Sequence, residues 1–167
     1  MFKVSFNKDC MKVQTFNDKA TVVTIVGKMA IPSEVWTAFP DKIANWMWQH
    51  PSIDATWGWG TCTKSEEVIR LEFSGKSVCA EGDTFDENIG KRIAESKAKV
   101  KLYKFVHNLC EMLMKYYYGI MFGDTEFSVI EEPHTEVPKD CLYLTCQKYR
   151  DLWIRESYHL GKLLTEA

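Results

Sequence analysis

The sequence predicts an α+β fold in one domain over residues 1–167: an antiparallel sheet, a long central amphipathic helix and a C-terminal helix. Three observations carry that expectation. Apolar and polar residues alternate with a period of two over 2–6 and 11–15 and again over 66–74. A three- and four-residue apolar rhythm takes over from Phe85 to Tyr117. It returns over 149–164, where Leu152, Trp153, Leu160, Leu163 and Leu164 recur on one side.

Phe2, Val4 and Phe6 alternate with polar neighbours, and Asn7-Lys8-Asp9 reads as a turn. Met11, Val13 and Thr15 alternate again before a second turn at Asn17-Asp18-Lys19. The β-branched run 21–29 reads as a buried strand, completing a three-stranded meander. Pro32-Ser33-Glu34 starts a short helix carrying Val35, Trp36 and Phe39. Pro40-Asp41 starts another, with Ile43, Trp46 and Met47, that ends at His50-Pro51. Glycine makes Trp57-Gly58-Trp59-Gly60 a loop or bulged strand. Residues 66–74 form a strand, Gly75-Lys76 a tight turn and 77–80 a short returning strand.

Asp83 is placed to cap the long helix, and Asp86 to oppose its dipole from the first turn. Phe85, Ile89, Ile93, Val100, Tyr103, His107, Cys110, Met114 and Tyr117 make one apolar stripe, and Gly119 terminates it. A helix over 84–118 is about 35 residues, or roughly 50 Å. A domain of this size has a diameter near 40 Å. The helix therefore overhangs its domain or kinks at Gly90 or Asn108, and an overhanging stripe calls for a second copy, a homo-oligomer through the long helix. Residues 120–130 read as a strand and 133–138 as a loop.

The net charge of −2 excludes the strongly basic body of a dedicated DNA binder and the strongly acidic body of a DNA mimic. Locally, Lys91, Arg92, Lys97, Lys99, Lys101 and Lys104 are offset only by Glu95, and an acidic stretch follows. Six cysteines in a chain with an ordinary 46% apolar content need no disulfide scaffold, so reduced thiols in a cytosol are expected. The strand pattern starts at Phe2, which predicts no signal peptide, and no apolar run reaches the roughly 20 residues of a membrane helix.

Lys97, Lys101, Lys104 and Lys115 fall within a narrow arc at 100° per residue. They suit phosphates or an acidic protein face, or form the solvated back of the helix. Trp46, Trp48, Trp57 and Trp59 offer a stacking platform or a core cluster, with Trp57 and Trp59 the better candidates for exposure. Asp83, Asp86 and Glu87 have the oxygen ligands Mg²⁺ prefers, although capping accounts for the first two; Phe85 and Arg92 flank them as ligand candidates. Cys141, Cys146 and His134 lack zinc-site spacing, and His107 reads as a packed histidine. The sequence contains no Gly-rich phosphate loop, no G-x-S-x-G and no H-E-x-x-H, so no catalytic residue or cofactor is assigned.

Val68-Ile69-Arg70-Leu71-Glu72-Phe73-Ser74-Gly75-Lys76-Ser77-Val78-Cys79, followed by Asp83-Thr84-Phe85-Asp86, Gly90 and Ile93-Ala94, resembles small phage and prophage counter-defence proteins. In these a strand ends at Cys, a loop gives D-x-F-D, and a helix with Gly and Ala follows; the Thoeris anti-defence nucleotide sponges are one such group. The resemblance implies a virus-encoded, non-enzymatic binder in the host bacterial cytoplasm. Its target would be a cyclic nucleotide or a defence complex such as a CRISPR effector. A single-stranded nucleic-acid-binding module and a metal-dependent nucleotide-processing enzyme are the rival expectations.

Overall fold

The computed structural model describes residues 3–16, 19–37, 39–53, 66–81, 84, 86–118 and 139–166. Trp57, Trp59, Asp83, Phe85, Gly119, His134, the strand expected at 120–130 and the loop at 133–138 lie outside the described residues.

The fold is α+β. Strands β1 (Lys3–Phe16), β2 (Ala20–Pro32) and β3 (Glu66–Val78) form an antiparallel sheet in the order β1-β2-β3. Helices α1 (Ser33–Thr37) and α2 (Asp41–Trp48) sit between β2 and β3 in the chain. The long central helix α3 (Glu87–Tyr118) and α4 (Lys139–Glu166) follow.

Odd-numbered residues of β2 and β3 face inward, as a period of two requires. Thr21, Val23, Ile25, Met29 and Ile31 of β2 are buried, as are Ile69, Leu71, Phe73, Gly75 and Ser77 of β3. Apart from Ala20, the even positions are half-buried or exposed, so β2 is covered on one face rather than running through a two-sided core.

Two expected turns are absent. Asn7-Lys8-Asp9 does not reverse the chain: Phe6 pairs with Gly27 and Met11 with Ile25, so both halves of β1 lie along β2. Five residues on β1 advance against two on β2, and the polar triplet is taken up as a bulge. Gly75-Lys76 is likewise strand interior, with Gly75 opposite Val23. Glycine is needed there because α3 presses on it: a Cβ at Gly75 would collide with the Ala94 carbonyl oxygen and stand 2.7 Å from the Ala98 nitrogen.

α3 is one helix of 32 residues, about 48 Å long, continuous through Gly90 and Asn108. Asp86 is its cap, since its Oδ1 accepts from Asn88 N–H at 2.8 Å and Ile89 N–H at 3.0 Å. One side packs on the sheet, with Ala94 and Ala98 against Gly75 and the Phe105 ring 5.5 Å from Phe73. The other meets an antiparallel α4: Ser96 Oγ donates to Glu156 Oε1 at 2.7 Å, Tyr103 lies 6.2 Å from Tyr149, and His107 5.8 Å from Trp153. α4 starts ten residues before the expected 149, and the added turns bury Leu142, Thr145 and Cys146.

Ile93, Tyr103, His107, Cys110, Met114 and Tyr117 of the expected stripe are all buried. The chain's own elements cover them, so the stripe does not call for a second copy. Nor is the helix one-sided: Ala94, Ala98, Leu102, Leu109 and Leu113 are buried too, because two layers enclose it. Among the described residues no helix is long and apolar enough to cross a membrane.

α1 and α2 close one end of this core. Trp46 stacks on Phe105 at 5.4 Å, and Trp48 meets Trp36 edge-on at 6.1 Å. The ring of His50 sits 4.6 Å from Phe105, and its Nδ1 accepts from Ser52 N–H at 3.2 Å. Burial lowers the His50 pKa from its ordinary value of 6.5. The fold therefore favours neutral imidazole, and His50's contribution is present above the unfolded pKa and lost as pH falls through it toward the folded one. Unfolding free energy is expected to drop as pH falls below the ordinary histidine value of 6.5, and His50→Phe to flatten that drop in urea titrations.

Candidate functional site

The lysine row takes its geometry from the sheet edge. Among the described residues β3 is an edge strand, whose outward backbone groups invite pairing with other chains. This chain answers them itself. Glu72 N–H donates to the Ser52 carbonyl at 2.7 Å, and Ile53 bridges Leu71. Further along, Lys101 Nζ donates to the Ser74 carbonyl at 2.7 Å and Lys97 Nζ to the Lys76 carbonyl at 3.0 Å. Lys104 Nζ lies 5.4 Å over the Trp153 ring.

Three of the four expected lysines are thus brought into one row with their heads held in place. Each ammonium has three donors, and one carbonyl uses only one of them. Lys115 is exposed in the last turn of α3, where its charge suits the negative end of the dipole. Arg92 is exposed but sits about 140° round the helix from Lys97 and does not join the row.

The other sequence candidates divide. Trp46 and Trp48 are partly buried against the core and offer no open stacking platform. Asp86 is committed to capping, and Glu87 Oε1 accepts from Thr15 Oγ1 at 3.1 Å. Among the described residues no group of three His, Cys, Asp or Glu side chains could hold a metal ion.

Two features carry no sequence signal, because they join residues far apart in the chain. One is a buried thiol–imidazole pair. Cys146 Sγ lies 3.3 Å from His107 Nδ1, and His107 Nε2 lies 4.0 Å from Glu111 Oε2. It resembles a nucleophile–base arrangement, but Cys146 is fully buried, and burial, helped by the Glu111 carboxylate, pushes its thiol up to about 12. The pair is packing.

The second feature is a cavity of about 300 Å³ at the head of α3. The end of β3 forms one wall through Ser77, Val78 and Cys79, and α3 another through Ile89, Ile93 and Lys97. Asp86 and Thr84 stand at its rim, with Leu164 of α4 on the far side. Its volume is at the low end for ligand clefts, about 300–1,000 Å³.

No protein-family model matches the chain, and neither the curated proteins nor the solved structures give a match.

Proposed function

We propose that the chain is a non-enzymatic binding protein of phage or mobile-element origin that neutralises a bacterial defence component in the host cytoplasm. The resemblance of residues 68–94 to counter-defence proteins supports the setting. The observation that supports binding is the row of Lys97, Lys101 and Lys104, two of them fixed on the carbonyls of β3. A fixed ammonium loses less rotamer freedom on meeting a partner than a free one, a saving of about 0.5–1.5 kcal/mol per side chain. The row suits an anionic target, either an acidic face of a defence protein or a phosphate-bearing signal.

Reversing Lys97 or Lys101 would set a carboxylate against the carbonyl that each now caps and would loosen the sheet edge. The clean test is Lys104→Glu with Lys115→Glu, because neither residue touches β3 in the hydrogen bonds above. Wild-type chain expressed in strains that each carry one defence system is expected to restore phage plaquing in at least one of them. The double variant should lose that rescue by about a hundredfold while keeping its circular dichroism and a cooperative thermal transition. Rescue in no strain, or full rescue by the variant, would overturn the reading. A low-salt gel shift with single-stranded DNA, lost steeply as salt rises, would move the row's target to nucleic acid.

A further inference from the structure

The cavity at the head of α3 contains polar groups that the fold itself leaves unanswered. Ser77 is only 8% exposed, lines the cavity, and its hydroxyl makes no hydrogen bond among the described residues. Thr21 is its cross-strand partner, is fully buried, and its Oγ1 has no hydrogen-bond partner either. Thr21 is not among the residues that line the cavity, so the Ser77 hydroxyl is the one of the two that can meet a ligand there.

The charges in the cavity have a direction. Lys97 spends one donor on the Lys76 carbonyl and keeps two. With the Ser77 hydroxyl beside it, that end takes an acceptor, and a carboxylate suits it best. The opposite end takes a donor. Asp86 Oδ1 is occupied by two helix N–H groups, whereas its second oxygen receives no hydrogen bond. Gly90 N–H is also satisfied, by the Asp86 carbonyl, so the helix terminus itself is no anion site. Between the two ends the wall is aliphatic: Val78, Ile89, Ile93 and Leu164.

Asp86 and Lys97 are eleven residues apart, about 16 Å along the helix axis. Lysine leans back toward the helix N-terminus, which leaves roughly 10 Å between the charged heads. Three residues of extended chain cover about that span at ~3.5 Å each. We infer that this cavity binds a short free peptide of about three residues with an aliphatic middle, its ammonium at Asp86 and its carboxylate at Lys97 and Ser77. The site goes beyond the partner surface proposed above and shares only Lys97 with it.

The test is titration of the ¹⁵N-labelled full chain with Ala-Leu-Ala, its N-acetylated form, its C-amidated form and AMP. Saturable shifts confined to residues 77–80 and 86–97 are expected with the free tripeptide. Either blocking group should weaken binding by about tenfold or more. Asp86→Asn keeps a good helix cap but removes the charge. It should weaken the free tripeptide by about tenfold and leave the N-acetylated form unchanged, a difference that a purely structural role would not produce. No saturable shift at millimolar tripeptide, equal binding of the blocked forms, or binding of AMP alone would overturn the inference.

Discussion

Gly75→Ala is expected to destabilise the protein by about 3 kcal/mol or more, one methyl group doing the damage of a core truncation. The added carbon would meet backbone, the Ala94 carbonyl and the Ala98 nitrogen, rather than a side chain able to rotate away. Relief requires α3 to move off β3, and that contact anchors the sheet to the central helix. The sign is informative, because alanine is ordinarily preferred to glycine in a strand interior by about 0.5–1 kcal/mol. Urea unfolding should show the loss directly. At roughly 2–4 °C per kcal/mol for a chain of this length, Tm should fall by about 6–12 °C.

Phe73→Ala is expected to cost about 3–5 kcal/mol. Phe73 is among the largest fully enclosed side chains, with its ring 5.5 Å from Phe105 of α3 and 5.8 Å from His50 after α2. Truncation opens a hole where the sheet, α3 and the α1–α2 corner meet, and the rings around it are too large to close it. Phe73→Leu keeps most of the volume and should cost less than about 2 kcal/mol. A similar loss for both would show that the site collapses freely and that the aromatic contacts are not what hold this corner together.

These two neighbours on β3 illustrate what the sequence made legible. Phe73 belongs to a clean alternation, Ile69, Leu71, Phe73, and alternation in one strand needs nothing from the rest of the chain to be read. Gly75 reads as a turn in the sequence because glycine has two uses, bending the backbone and admitting a neighbour, and only the position of α3 distinguishes them. Asn7-Lys8-Asp9 carries turn chemistry but sits in a bulge, since Val4 and Met11 both lie on the strand that pairs with β2. The periodicity of α3 was readable. That it is covered on two sides was not, because small residues such as Ala94 and Ala98 carry little apolar signal yet are where β3 comes closest at Gly75.

The candidate site divides the same way. The lysine spacing was visible, but whether those lysines were loose or held depended on β3 being an edge strand whose carbonyls point at them. The cavity joins the end of β3, the start of α3 and the end of α4, three segments that no local pattern connects.

α3 is a single helix enclosed by its own chain, which leaves its lysine row rather than its apolar side to meet other molecules. Amide hydrogen exchange across a hundredfold range of protein concentration tests this most directly. The prediction is continuous slow exchange from Ile93 through Met114, with no fast step at Asn108, and protection that does not change with concentration. Fast exchange in the middle of α3, or protection that fades on dilution, would contradict it.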